Sequence, residues 1–91
     1  MNGKTYIFVC KDGWVYVARV KFNDNEYDSL FITTDKFAVI RKWGTSKGLG
    51  ELAEKGPLRE TILESEPEGV QIARMDIKRQ IPCNEKNWSN W

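Results

Sequence analysis

The 91-residue chain contains no histidine. Histidine is the commonest general base in enzymes and the usual partner of a nucleophilic serine or cysteine. Carboxylates and lysines are present, but none of them stands in a recognisable catalytic setting. The two cysteines, Cys10 and Cys83, cannot build a structural zinc site by themselves. The sequence therefore predicts a protein that is not an enzyme and that uses no cofactor and no metal.

Long hydrophobic runs and a strong charge of one sign are also missing. No run of about 18 apolar residues occurs, so no membrane span is predicted, and the apolar run near the N-terminus is too short for a signal peptide. These absences favour a cytoplasmic protein with reduced thiols, in which Cys10 is a buried strand residue. The 14 basic and 13 acidic residues nearly cancel, so nucleic acid is a weaker prediction than other partners.

The length allows one domain, residues 1–91, ending in a polar tail at 82–91 that contains two tryptophans. The clearest element is "YIFVCKDGWVYVARVKF", in which two β-rich runs flank Lys11-Asp12-Gly13. An Asp-Gly pair between such runs predicts a β-hairpin. In the second strand, alternation gives one apolar face and one face that becomes polar halfway along. The apolar face contains Trp14, Tyr16, Ala18, Val20 and Phe22, and the other contains Val15, Val17, Arg19 and Lys21.

Further strands are predicted after a polar turn at 23–29. "LFITT" forms the third strand, and residues 36–43 are interpreted as a fourth strand rather than a short helix capped by Asp35. The segment 60–65 is a fifth strand. Across 69–81 the apolar residues change parity, so a one-turn break at "ARMD" is expected before a short closing strand that ends at Pro82.

Between these strands lies "RKWGTSKGLGELAEKGP", residues 41–57, with three glycines followed by a Gly-Pro pair. Thr45 or Ser46 is a good N-cap, and the apolar residues that follow have helical spacing. Gly56 and Pro57 then end the segment. We expect one short helix at about 46–55.

The resulting fold class is mainly β, a small closed barrel of five to six strands with one inserted helix. The ending "VQIARMDIKRQI" resembles the second half of an Sm-like barrel, in which a tight turn separates the last two strands. The residues that bind RNA in that family have no match here, so the resemblance implies the barrel and not the RNA site. The segment "IRKWGTSKGLGELAEKGP" resembles short bacterial and phage accessory proteins of unknown function, which implies a phage or prophage setting.

The glycine-rich helix start is the leading candidate site. Backbone N–H groups at a helix N-terminus bind anions, glycine lets a ligand approach, and a tryptophan can stack on a base. The alternative is purely structural, with Gly44 in a turn, Gly48 and Gly50 allowing close packing and Trp43 in the core. The predicted ligand-binding residues are Arg41, Trp43, Thr45, Ser46, Lys47 and Gly48.

Three further groups are weaker candidates. A basic stripe for RNA is Arg74, Lys78 and Arg79, and an acidic run that could meet a basic protein surface is Glu60, Glu64, Glu66 and Glu68. Large aromatics in the polar tail either fold back on the barrel or form a subunit interface. We expect a homo-oligomer with Trp88 and Trp91 as interface residues.

These observations favour a binding protein of the phage accessory type. Its predicted ligand is a phosphorylated small molecule, such as a nucleotide or cyclic nucleotide signal, which it would sequester from a host defence system. The alternatives are a protein-interaction module that inhibits a host factor and an Sm-like RNA-binding protein.

Overall fold

A computed structural model describes residues 3–21 and 30–91. In this part of the chain the fold is mainly β, with one α-helix and two short 3-10 helices. No helix there is long and apolar enough to cross a membrane. The strands are β1 Thr5–Cys10, β2 Val15–Val20, β3 Phe31–Lys42, β4 Ile62–Glu66, β5 Gln71–Ala73 and β6 Ile77–Pro82; the helices are α1 Leu49–Lys55, η1 Arg74–Asp76 and η2 Glu85–Trp88.

The strands form one antiparallel arrangement around β3. The main path is β4-β3-β2-β1-β6, and β5 pairs separately with the start of β3. The predicted mainly β fold with an inserted helix is therefore confirmed. The predicted closed barrel is not confirmed, because no ladder joins β6 to β4 or β5 among the described residues. The tight turn expected at "ARMD" is present as η1, which joins β5 to β6.

The predicted hairpin joins β1 to β2. The Cys10 N–H donates to the Trp14 carbonyl at 2.9 Å, and the Asp12 carboxylate accepts the Trp14 N–H at 3.1 Å. Gly13 has φ +93°, a conformation that L-residues with side chains rarely adopt. The hairpin prediction is confirmed. Phe22 and the turn predicted at 23–29 lie outside the described residues.

The third and fourth predicted strands are one strand, β3, so their separation was wrong. The pairing with β2 shifts between Arg19↔Lys36 and Val20↔Thr34, which leaves Asp35 as an extra residue. Such a bulge reverses which side chains face the core, and this reversal made the sequence look like two strands. The Arg19 Nε donates to the Asp35 carboxylate at 2.7 Å across the bulge.

Both faces of the sheet are covered by apolar residues. The inner cluster comprises Tyr6, Phe8, Cys10, Ala18, Val20, Ile32, Phe37, Val39 and Ile72. The outer cluster comprises Ile7, Val17, Ala38, Ile40, Leu49, Leu52, Ala53, Cys83 and Trp88. Val17 packs in the outer cluster, whereas Arg19 is only half-buried, so the strand's second face is half covered as predicted.

The apolar residues of 69–81 change from even to odd positions for two reasons, of which η1 is one. The pairing of β1 with β6 shifts between Val9↔Arg79 and Cys10↔Ile77, so that Lys78 is an extra residue. Ile77 therefore packs against the inner cluster, and Ile81 packs against the outer one. The two isoleucines face opposite sides although their sequence spacing suggests one face.

Close backbone approach explains two of the glycines around α1. A Cβ on Gly44 would lie 2.3 Å from the Thr61 nitrogen, and one on Gly56 would lie 2.1 Å from the Asn87 carbonyl oxygen. Both residues also have positive φ. The expectation that Gly50 permits close packing was wrong, since a Cβ there would meet nothing within 4 Å. The helix begins at Leu49 rather than near residue 46.

Gly56→Ala should destabilise the fold by about 2–5 kcal/mol, because the new methyl group meets the Asn87 backbone in an unfavourable φ region. Gly50→Ala is the matched control, and it should leave stability unchanged or raise it by up to about 1 kcal/mol. Urea denaturation followed by circular dichroism measures both. Equal effects of the two substitutions would show that the approach of Gly56 to Asn87 is not a constraint.

Candidate functional site

A cavity of about 530 Å³ lies on the inner face of the sheet, and we call it the groove. The β1–β2 hairpin, β3, β4, β5 and η1 all contribute to it. Its floor belongs to the inner cluster and its rim carries charged residues. The lining residues are Cys10, Asp12, Trp14, Tyr16, Phe37, Val39, Arg41, Glu64, Glu66, Val70, Gln71, Ile72, Ala73 and Asp76.

Aromatic rings dominate the side of the groove formed by the hairpin. The Trp14 and Tyr16 rings are nearly parallel, with an interplanar angle of 8° and centroids 6.5 Å apart. The Tyr16 ring in turn lies 4.8 Å from that of Phe37. Alternation along β2 places Trp14 and Tyr16 on one face, as the sequence predicted, but that face is half open here, since Trp14 is 44% exposed.

The rim of the groove is acidic. Among the described residues, Arg41 is the one lining residue with a positive charge, and four lining residues carry carboxylates, namely Asp12, Glu64, Glu66 and Asp76. Burial raises the pKa of the Cys10 thiol, and Asp12 and Asp76 raise it further. The pKa of Tyr16 is likewise raised, first by burial and then by Asp12 and other nearby groups. In both cases burial is the largest cause, and the nearby carboxylates add to it.

Arg41 lies at an irregularity in the sheet. The β3–β4 pairing shifts between Ile40↔Leu63 and Lys42↔Ile62, so Arg41 is an extra residue. Its Nε donates to the Glu64 carboxylate at 2.7 Å, and its guanidinium carbon lies 5.2 Å from the centroid of the Trp14 ring. Bulges often redirect a side chain beside a functional site. The cation that the described residues contribute to the groove is thus already paired within the chain.

The structure separates the predicted ligand-binding residues into two groups. Arg41 and Trp43 line a shallower depression of about 360 Å³ that adjoins the groove beside Trp14. Trp43 is 42% exposed, so its alternative assignment to the core was wrong. Thr45, Ser46, Lys47 and Gly48 do not line either depression.

At the start of α1, a carboxylate of the chain itself takes the place predicted for a ligand anion. The Lys47 N–H donates to the Glu51 carboxylate at 2.9 Å, and the Thr45 hydroxyl donates to the Gly48 carbonyl at 2.9 Å. The Lys47 hydrogen bond is the largest cause of a lowered pKa of Glu51. A phosphate at this position would have to displace Glu51.

The substitution Glu51→Gln tests whether the Glu51 carboxylate stabilises the fold by accepting the Lys47 N–H, through the pH dependence of the free energy of unfolding. Because the folded-state pKa of Glu51 is lowered, its carboxylate stabilises the fold above the ordinary pKa of 4.5, and this contribution is lost as pH falls through the folded-state value. The variant should be less stable than the wild type at neutral pH, and the difference should disappear in acid. Urea denaturation at several pH values measures it. A pH-independent difference, or the same loss from the control Glu60→Gln, would contradict the assignment.

The polar tail folds back on α1. Trp88 is 2% exposed, and its indole N–H donates to the carbonyls of Leu52 and Ala53 at 3.2 and 2.9 Å. Trp91 packs edge-on against Trp88 with ring centroids 5.7 Å apart, and the Lys36 Nζ lies 4.7 Å from the Trp91 ring. Of the two predicted interface residues, Trp88 is therefore buried within the chain, and Trp91 is half-buried against it, so the subunit interface stays a prediction that concerns Trp91.

If Trp91 forms the predicted interface, the wild-type chain should run as an oligomer, and Trp91→Ala should run at the monomer mass of 10.6 kDa. Light scattering coupled to gel filtration measures both masses. Trp88→Phe is the control, since it should lower stability by about 1 kcal/mol through loss of the indole hydrogen bonds and leave the mass unchanged. A wild-type protein that is already monomeric would refute the oligomer.

The other charged groups predicted from the sequence are dispersed. Lys78 and Arg79 are exposed on β6, whereas Arg74 is half-buried in η1. Of the acidic run, only Glu64 and Glu66 line the groove.

Sequence reasoning missed five residues of the groove as site residues, namely Asp12, Trp14, Tyr16, Phe37 and Asp76. Asp12 was used only as a turn residue, and Asp76 lies in the predicted "ARMD" break. The Lys11 N–H donates to the Asp76 carbonyl at 2.8 Å, which fixes η1 beside the hairpin turn. That tertiary contact, which local sequence does not indicate, places the two acidic residues on one rim.

Comparison of the chain with protein-family models, with curated proteins and with solved structures found no match.

Proposed function

We propose that this is a binding protein without catalytic activity, and that its groove takes a positively charged segment of a partner protein. The observation that carries the proposal is the combination of an apolar floor and an aromatic side wall with a rim on which the described residues place four carboxylates and one guanidinium. Charge complementarity of this kind speeds association and excludes partners of the wrong charge.

Only one of the four carboxylates of the groove forms an ion pair with a described residue. The Glu64 carboxylate is paired with Arg41 at 2.7 Å. Asp12, Glu66 and Asp76 form no ion pair with any residue in the described part of the chain. A basic ligand would supply the missing positive charge, whereas an anionic ligand would meet repulsion from three carboxylates.

The dimensions of the groove favour a short extended segment. A volume of about 530 Å³ is in the range of small-ligand sites and admits a few side chains but no folded domain. The apolar floor and the aromatic side wall suit the aliphatic parts of lysine and arginine, which pack on apolar surfaces while their charged groups stay near water. The rim then contacts the charged groups.

This proposal corresponds to the protein-interaction alternative from the sequence. The phosphorylated-ligand hypothesis remains a prediction, supported by the shared position of Arg41 and Trp43 beside the groove. Two observations weigh against it, namely the pairing of Arg41 with Glu64 and the hydrogen bond from Lys47 to Glu51. The RNA-binding alternative has no observation of its own to favour it.

Calorimetric titration of the full chain with a nine-residue peptide of alternating glycine and lysine or arginine tests the proposal. The basic peptide should bind more weakly as salt is added, and a peptide with glutamate at the same positions should not bind. Glu66→Lys should weaken binding about tenfold or more, because it places a positive charge in the groove.

Glu60→Lys is the matched control, since it changes the net charge equally in the turn before β4 and outside the groove lining. It should change the affinity little. An equal loss in both variants would mean that binding is non-specific and would refute the groove. Binding of a nucleotide that Arg41→Ala abolishes, without binding of the basic peptide, would overturn the proposal in favour of a phosphorylated ligand.

A further inference from the structure

Arg41 shows how this groove binds a guanidinium group. The side chain combines a carboxylate partner with an aromatic neighbour, since its Nε donates to Glu64 at 2.7 Å and its guanidinium carbon lies 5.2 Å from the Trp14 ring centroid. Planar guanidinium groups favour such sites, because they stack on rings and also donate in the plane to carboxylates. The chain itself therefore demonstrates one arginine position.

A second set of an aromatic ring and carboxylates lines the same groove, and no described residue places a cation on it. Tyr16 supplies the ring, half-buried between Trp14 and Phe37. Asp12 and Asp76 supply the carboxylates, and neither forms an ion pair with a described residue. We call this the hairpin end of the groove, defined by Asp12, Tyr16 and Asp76.

The two carboxylates of the hairpin end affect the pKa of the same two neighbouring groups. Asp12 and Asp76 both raise the pKa of the Cys10 thiol, and both contribute to the raised pKa of the Tyr16 hydroxyl, to which Glu66 also contributes. Both residues line the same groove, and the Lys11 N–H donates to the Asp76 carbonyl at 2.8 Å, which holds η1 beside the hairpin turn. Asp12 is held in place because its carboxylate accepts the Trp14 N–H at 3.1 Å.

We propose that the hairpin end binds an arginine side chain of the partner, with its aliphatic part against the Tyr16 side chain and its N–H groups on Asp12 and Asp76. This inference rests on the proposed function, because it specifies which basic residue the groove recognises and where. The position between Trp14 and Glu64 is already occupied by the Arg41 guanidinium, which pairs with Glu64. Discrimination against lysine follows, since an ammonium group cannot donate to two carboxylates through the planar fork of a guanidinium.

The test compares three glycine-rich nine-residue peptides that carry arginine, lysine or citrulline at the same positions, with the full chain uniformly labelled for NMR. The arginine peptide should bind about fivefold more tightly than the lysine peptide. The neutral citrulline peptide should not bind measurably. Amide shifts should concentrate at residues 12, 16 and 76.

Asp76→Asn should weaken arginine binding about tenfold, through loss of a charge-assisted hydrogen bond. Asp12→Asn should also weaken it, and this variant keeps the oxygen that accepts the Trp14 N–H. Glu64→Gln is the control, because it changes the charge of the same groove equally at the end that Arg41 occupies. It should have a much smaller effect.

Equal affinities for the arginine and lysine peptides, or an equal loss in Glu64→Gln and Asp76→Asn, would overturn the arginine position. The proposed function would survive that result, because a basic peptide would still bind in the groove. Absence of binding by both basic peptides would overturn the proposed function as well, so the two failures are distinguishable.

Discussion

The pairing of β3 with three other strands is the constraint on which the rest of the structure depends. Its twelve residues pair with β2 along one edge, and they pair with β5 and β4 at successive positions. Because β3 is bulged at Asp35, residues before and after the bulge both contribute to the inner cluster. Without that shift, Phe37 and Val39 would face the helix side and the groove would lose its floor.

The second irregularity of β3 connects the fold to the site. The extra residue Arg41 directs a guanidinium toward Trp14 and Glu64, at the border between the groove and the neighbouring depression. The chain thus neutralises one of its four groove carboxylates itself and leaves three. A local departure from regular pairing therefore determines how much negative charge the groove presents to a ligand.

The outer face of the sheet depends on contacts between segments that are far apart in sequence. A helix of seven residues is too short to be stable in water by itself. Here Leu52 and Ala53 bury their side chains on the sheet, and Trp88 and Asn84 donate hydrogen bonds to carbonyls near the helix end. Gly56 allows Asn87 to approach closely enough for this. Close backbone packing thus explains why the glycine-rich segment has glycine at positions 44 and 56.

The sequence by itself determined the features that depend on neighbouring residues: the Asp12-Gly13 hairpin, the strand at 36–43, the break at "ARMD" and a helix that ends at Gly56. Turn chemistry and side-chain periodicity are local, so they can be predicted from one chain. Only the tertiary structure decided that β3 is continuous, that Trp88 is buried and that Asp12, Glu66 and Asp76 share a rim with Arg41. These depend on strand registers and on contacts between distant residues, such as Trp88 with Leu52, 36 positions apart, and Lys11 with Asp76, 65 positions apart. A periodic pattern contains no information about which distant segments pair.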